Sequence, residues 1–236
     1  MSAHFAELAW QQTPMGDISL RRRLDPKQHV DVYEVKLGDE FLMSSLFTVA
    51  EIELARLALA ELPGTDLEVV VGGLGLGYTA RAALDDKRVR SLLVVEALEE
   101  VIRWHERGLL PDVVGLSTDR RTRFQHGDFF AMTETATGFD PAAPQRRFDA
   151  ILLDVDHTPR HLLHPSHTNF YSPAGLRRLT RHLKPGGVFA LWSDDPPDPD
   201  FLVVLGGVFA EAHAHVIRFP NPITGGESAN TVYTAT

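Results

Sequence analysis

From residue 67 onward, short apolar runs alternate with segments of helical period, and this alternation organises most of the chain. Strands are expected at 67–72, 91–96, 122–126, 149–154 and 187–192, and helices near 77–85, 98–107, 173–182 and 198–212. Strands that alternate with helices predict a largely parallel sheet. His213 to Phe219 and Thr231 to Ala235 read instead as a closing antiparallel pair, joined through Pro220-Asn221-Pro222 and Gly225-Gly226. Residues 1–48 follow another pattern. Ile18 to Arg23 and His29 to Lys36 alternate as half-exposed strands do, and Gly38-Asp39 is a hairpin turn before Glu40 to Met43. The expectation is a small N-terminal antiparallel unit (1–48), too small to be stable alone, packed on a larger α/β domain (49–236). Thr48, with Glu51 three residues on, is the expected N-cap of a helix through Glu61 that Pro63-Gly64 ends.

Composition narrows the class. The chain has 236 residues, 44% hydrophobic and 23% charged, enough for one substantial core. No apolar run approaches the roughly 18–20 residues a membrane helix needs, and no membrane partner is expected. The absence of cysteine excludes disulfides, thiolate zinc sites and cysteine nucleophiles, and fits a cytoplasmic setting. A net charge of −9 repels phosphate backbones, so no nucleic-acid partner is expected, whereas a cationic small substrate meets no such penalty.

The richest chemistry lies in Val69-Val70-Val71-Gly72-Gly73-Leu74-Gly75-Leu76-Gly77, followed by Glu96 at the end of the next apolar run. Such turns also arise from tight strand-to-helix packing. An acid at the end of the second strand adds a second feature, because it can accept hydrogen bonds from both ribose hydroxyls while Gly73, Gly75 and Gly77 let a ligand approach the main chain. Gly127-Asp128 stands at the same edge after the third strand. Asp128 can accept the exocyclic amine of adenine or cap the next helix.

Asp154 and Asp156 follow the buried run 150–153, where the reacting groups of such a cleft meet. If an amine attacks a carbon attached to a sulfonium, an anion is needed where the proton leaves. Asp154 suits that task, and Asp156 a second cationic centre; the alternative is one capping Asp and one exposed Asp. His157, His161, His164 and His167 have spacings that suggest metal ligands, but Pro159 and Pro165 break the helix they would need, so a loop over the site and no metal are expected. The run Asp194 to Asp200 is either a solvated turn or a negative rim that attracts an amine. Tyr78, Tyr171 and Trp192 are candidate pocket walls, and Lys184-Pro185-Gly186-Gly187 is a turn into the fifth strand.

These residues resemble the spermidine synthase (polyamine aminopropyltransferase) family within the class I methyltransferase-like fold. The resemblance covers about residues 30–236. Gly72 to Gly77 is similar to the family's glycine loop, Glu96 to its ribose-binding acid and Gly127-Asp128 to its adenine-binding pair. Phe148 to Asp154 is similar to the strand that leads to its catalytic aspartate, and Asn169-Phe170-Tyr171 with Leu183 to Gly187 to the segment after its gate. The resemblance implies a Rossmann-like fold with a mostly parallel seven-stranded sheet, a homodimer, and aminopropyl transfer from decarboxylated S-adenosylmethionine to a small amine. Two matching positions depart: Gly75 stands where the family loop carries an aspartate, and His157 where it carries a second catalytic aspartate. The Tyr-Gln pair that opens the family's first helix is absent around Thr48-Val49-Ala50, leaving only Glu51.

Three further readings stay open. Gly75 leaves room for a donor carboxylate, which favours a methyltransferase that uses S-adenosylmethionine itself. The fold can also persist as an inert nucleoside-binding module. A nicotinamide oxidoreductase fits less well with the run 122–128 and the closing antiparallel strands.

Overall fold

A computed structural model describes residues 5–236. Four strands, β1 (Phe5–Thr13), β2 (Gly16–Leu24), β3 (Asp31–Leu37) and β4 (Glu40–Ser44), form an antiparallel sheet in sequential order. The remaining elements are α1 (Val49–Ala60), β5 (Leu67–Gly72), α2 (Tyr78–Asp85), β6 (Val89–Glu96), α3 (Glu99–Glu106), β7 (Thr122–His126), α4 (Phe129–Glu134), β8 (Phe148–Leu153), α5 (Pro173–Leu179), β9 (Leu183–Ser193), α6 (Pro199–Gly206), β10 (Ala212–Asn221) and β11 (Gly226–Ala235). Their strands build a seven-stranded sheet in the order β10-β11-β9-β8-β5-β6-β7. Strands β9, β8, β5, β6 and β7 run parallel, and β11 lies antiparallel to both β9 and β10. This is the expected α/β architecture with its closing pair.

The apolar runs divide between two cores because successive strand side chains face opposite ways. Val69, Val71, Leu92, Val94, Ala150 and Leu152 face one layer, which also holds Leu54 of α1, Ala80 of α2 and Val101 of α3. Val70, Leu93, Val95, Ile151 and Leu153 face the other, with Phe130 of α4, Leu176 of α5 and Phe201 of α6. Each such Val or Leu, fully covered, contributes about 1.5–3 kcal/mol. Ile18, Leu20, Tyr33 and Val35 of the N-terminal sheet join the first layer, so the small sheet is anchored in the same apolar cluster as the large one.

Several local expectations need correction. The N-terminal unit has a further strand at Phe5–Thr13, absent from those expected because a bulge between Glu7 and Ala9 breaks its alternation. Thr48 precedes α1, but its side chain makes no capping hydrogen bond. Lys184 to Gly187 lies within β9 as a register shift, where Phe148 pairs with Leu183 but Ala150 with Val188. Helix α6 stops at Gly206, six residues short of its expected end at 212.

Candidate active site

The parallel strands end side by side, and main-chain hydrogen bonds fix their ends. Gly73 N–H donates to the Val95 carbonyl, Asp154 N–H to that of Gly72, and Gly127 N–H to that of Glu96, each at 2.9 Å. The glycine turn, Glu96, Gly127 and Asp154 are therefore held together along one sheet edge, where ligands of open α/β sheets bind. A cavity of about 930 Å³ opens there and reaches across to the N-terminal sheet.

Gly73 (φ +92°) takes a left-handed conformation that suits glycine, and a Cβ there would collide with the Asp154 carbonyl oxygen. Gly73 and Gly75 border the cavity; Gly77 does not. A Cβ on Gly77 would sit 2.7 Å from the His105 ring, so this glycine serves the packing of α2 on α3, not ligand approach. The room expected beside Gly75 is also absent. Met43 fills it, with Sδ and Cε 2.6 Å from where a Cβ would stand, and the sulfur accepts the Leu76 N–H at 3.1 Å.

Glu96 is buried yet borders the cavity. One oxygen accepts the Leu74 N–H and the other the Leu98 N–H, both at 2.9 Å. Burial pushes its carboxyl up, against the lowering effect of these main-chain donors. Each oxygen keeps a further lone pair, so a diol can still be accepted. Asp128 caps α4 through Oδ1, which accepts from Phe130 and Ala131 at 2.9 and 3.2 Å. Both roles weighed for this residue are compatible, because its Oδ2 accepts no hydrogen bond from the described residues.

Asp154 lines the cavity and accepts the Thr79 hydroxyl at 2.6 Å. Burial pushes it up to about 6. Glu51 lines the same region; burial, then the carboxylates of Asp154 and Asp194, push it up to about 8. Asp194 also faces the cavity and accepts from Asn230 Nδ2 at 2.6 Å. Trp192 lines the cavity too, and its indole Nε1–H is buried with no acceptor among the described residues.

Asp156 is the clearest correction. Its side chain is turned away from the cavity and only 1% of the residue is exposed. It accepts from Leu163 N–H, His167 Nδ1 and Tyr171 Oη, each at 2.8 Å, and so ties the loop 157–171 down instead of meeting a cation. Tyr171 is likewise a buried tie and not a pocket wall, and Tyr78 donates outward to Asp112. Three of the four histidines have separate partners, while the His161 ring lies 4.9 Å from that of His157: His157 bonds Glu40 at 2.9 Å, His164 bonds Ser166 at 2.7 Å, and His167 bonds Asp156 while stacking on Phe130. The acidic run splits as well. Asp194 enters the cavity, whereas Asp198 and Asp200 pair with Arg160.

The sequence marks Glu51 as a cap partner and as what remains where the resembled family has its Tyr-Gln pair, and Asp194 as part of a rim; it gives neither a place in the cavity. The available signal was position: Asp194 directly follows the fifth parallel strand, the same edge that supplied Glu96 and Asp154.

The cleft and the sheet order together define a Rossmann-like α/β fold with a cavity at the carboxyl edge of its parallel strands. No protein-family model matches the chain. Among solved structures, a spermidine synthase bound to the transition-state analogue AdoDATO aligns over 97% of this chain and 73% of its own, with TM-score 0.70 and 16% identity. The Thermotoga maritima spermidine synthase aligns over 97% and 72%, again with TM-score 0.70 and 16% identity. A probable spermidine synthase from Corynebacterium glutamicum ATCC 13032 covers 98% and 79%, with TM-score 0.67 and 18% identity. The chain shares the fold of these proteins, including the small antiparallel sheet beside the seven-stranded one.

Proposed function

We propose that this chain is a transferase that binds decarboxylated S-adenosylmethionine and passes its aminopropyl group to an amine. One observation carries the reading: five carboxylates, Glu51, Glu96, Asp128, Asp154 and Asp194, line the cavity, and no Lys or Arg lines it among the described residues. A donor that keeps its carboxylate would bring an anion into this field without a cationic partner. The decarboxylated donor has only positive charge outside its nucleoside. Met43 occupies the space beside Gly75 on which the S-adenosylmethionine alternative rests, so a donor carboxylate would have to displace its thioether.

The residues present suit the donor. Glu96 would hold the ribose hydroxyls, the Gly73–Gly75 main chain would lie against the nucleoside, and Asp128 Oδ2 would accept the adenine amine. When bound, the sulfonium supplies a carbon open to attack and departs as a neutral thioether. Asp154 does the remaining work. With its carboxyl at about 6 and Glu51 at about 8, Asp154 is anionic and Glu51 protonated near neutrality. Asp154 then orients the incoming amine and takes its proton, leaving the nitrogen lone pair free. Asp194 adds negative field for the substrate cation, and the protonated Glu51 leaves its carbonyl oxygen as a hydrogen-bond acceptor beside it.

The test is product analysis with decarboxylated S-adenosylmethionine and an amine panel. An aminopropylated amine and methylthioadenosine are expected from the native chain. Methyl transfer from S-adenosylmethionine, with no aminopropyl product, would overturn the reading.

A further inference from the structure

The acids that line the cavity stand at the ends of the parallel strands or in α1, whereas the N-terminal sheet supplies mostly apolar side chains to it. Glu51, Asp154 and Asp194 gather together, close enough for both aspartates to act on Glu51 through space. The wall supplied by the N-terminal sheet and its neighbours is different: Met15, Leu37, Phe41, Leu42, Phe47 and Phe219 line it. No carboxylate stands among them. Glu40, the nearest acid in the chain, does not line the cavity and is paired with His157 at 2.9 Å. Phe47 and Phe219 pack with ring centroids 6.1 Å apart, while Met15 and Phe41 are 44% and 48% exposed.

A short diamine has a charge at each end. With one ammonium among the three acids, the other would lie on apolar side chains and lose water without gaining an anion. An amine with one charge and a hydrocarbon body avoids that penalty and covers the half-exposed wall. We propose that the acceptor site takes a primary amine with a single cationic end and an apolar body, of the alkylamine or arylalkylamine class. This deepens the function proposed above and rests on it for the fate of the amine, though not for the amine's binding.

Calorimetric titration of the full chain, with and without methylthioadenosine, tests the inference with butylamine, hexylamine, octylamine, 2-phenylethylamine and 1,4-diaminobutane as probes. Affinity should rise with chain length, by up to about fourfold for each fully covered methylene, and by at least about tenfold from butylamine to octylamine. The diamine should bind more weakly than hexylamine. Phe41→Asp should flatten the series and strengthen diamine binding about tenfold. Should that variant fail to fold, Phe41→Ala should still make the series shallower. A diamine that outbinds hexylamine would overturn the inference, as would a chain-length series unchanged by substitution at Phe41. So would a flat series from a dimer whose second copy covers the wall. If methylthioadenosine does not bind while the amine series stands, the donor assignment fails and the acceptor assignment survives.

Discussion

A carboxylate that already accepts two main-chain N–H groups is held in one orientation, and for Glu96 those bonds come from the glycine turn on one side and the start of α3 on the other. Such a side chain presents its oxygens in a fixed direction, and a diol placed on them would cost it little entropy. Glu96→Ala is expected to weaken nucleoside binding by about 1–3 kcal/mol, roughly 5- to 150-fold in Kd, measured by calorimetry with methylthioadenosine. Asp154→Asn should behave differently. Donor affinity should change little while turnover falls by about 10²- to 10⁴-fold, the usual worth of a positioned acid or base. At this scale the sequence was informative wherever a side chain directly follows a parallel strand. Glu96, at the last position of β6, and Asp154, just after β8, border the cavity for that reason. Asp156 does not, because a residue two positions further along has left the strand, and its direction is set by loop contacts with Leu163, His167 and Tyr171. Glu51 reads as a cap partner because its spacing from Thr48 satisfies the capping pattern, although Thr48 makes no cap bond.

The glycine turn shows how one element constrains another. Gly64 and Gly73 both have positive φ, at +87° and +92°, but no atom lies within 4 Å of a Cβ at Gly64, whereas Gly73 backs onto the Asp154 main chain. Gly64→Ala should therefore cost about 1–2 kcal/mol from backbone strain alone. Gly73→Ala should cost about 3 kcal/mol or more, because the Asp154 segment must also shift. At roughly 2–4 °C of Tm per kcal/mol for a chain of this size, thermal denaturation separates the two. The parallel strands were readable because burial on both faces leaves unbroken apolar runs. Strand β1 was not: Ala6, Leu8 and Ala9 favour helix intrinsically, and the bulge at Glu7/Ala9 breaks the period of two. The end of α6 was overextended past Gly206-Gly207, although glycine there is an ordinary stop signal.

For the molecule as a whole, the acids that line the cavity tie stability to pH. Glu51 and Asp154 have carboxyls raised in the folded state, to about 8 and about 6, from ordinary values of 4.5 and 3.8. A raised carboxyl binds its proton more tightly in the fold than in the unfolded chain. The stability this contributes is complete below the ordinary values and is lost as pH rises through the folded ones. Tm of the free protein should thus fall between about pH 4 and pH 8 through this pair, and Glu51→Gln should flatten that fall and raise Tm at pH 8. The N-terminal sheet matters at the same scale, since it contributes both to the main core and to the apolar wall of the cavity. Among the described residues no helix is long and apolar enough to cross a membrane.

The claim on which these predictions converge is that the cleft is built for an adenosyl ligand whose tail is purely cationic. Calorimetric competition between decarboxylated S-adenosylmethionine and S-adenosylmethionine measures this directly. The account predicts at least about tenfold tighter binding of the decarboxylated form. Equal or tighter binding of the carboxylated form, or NAD as the ligand that binds instead, would contradict it.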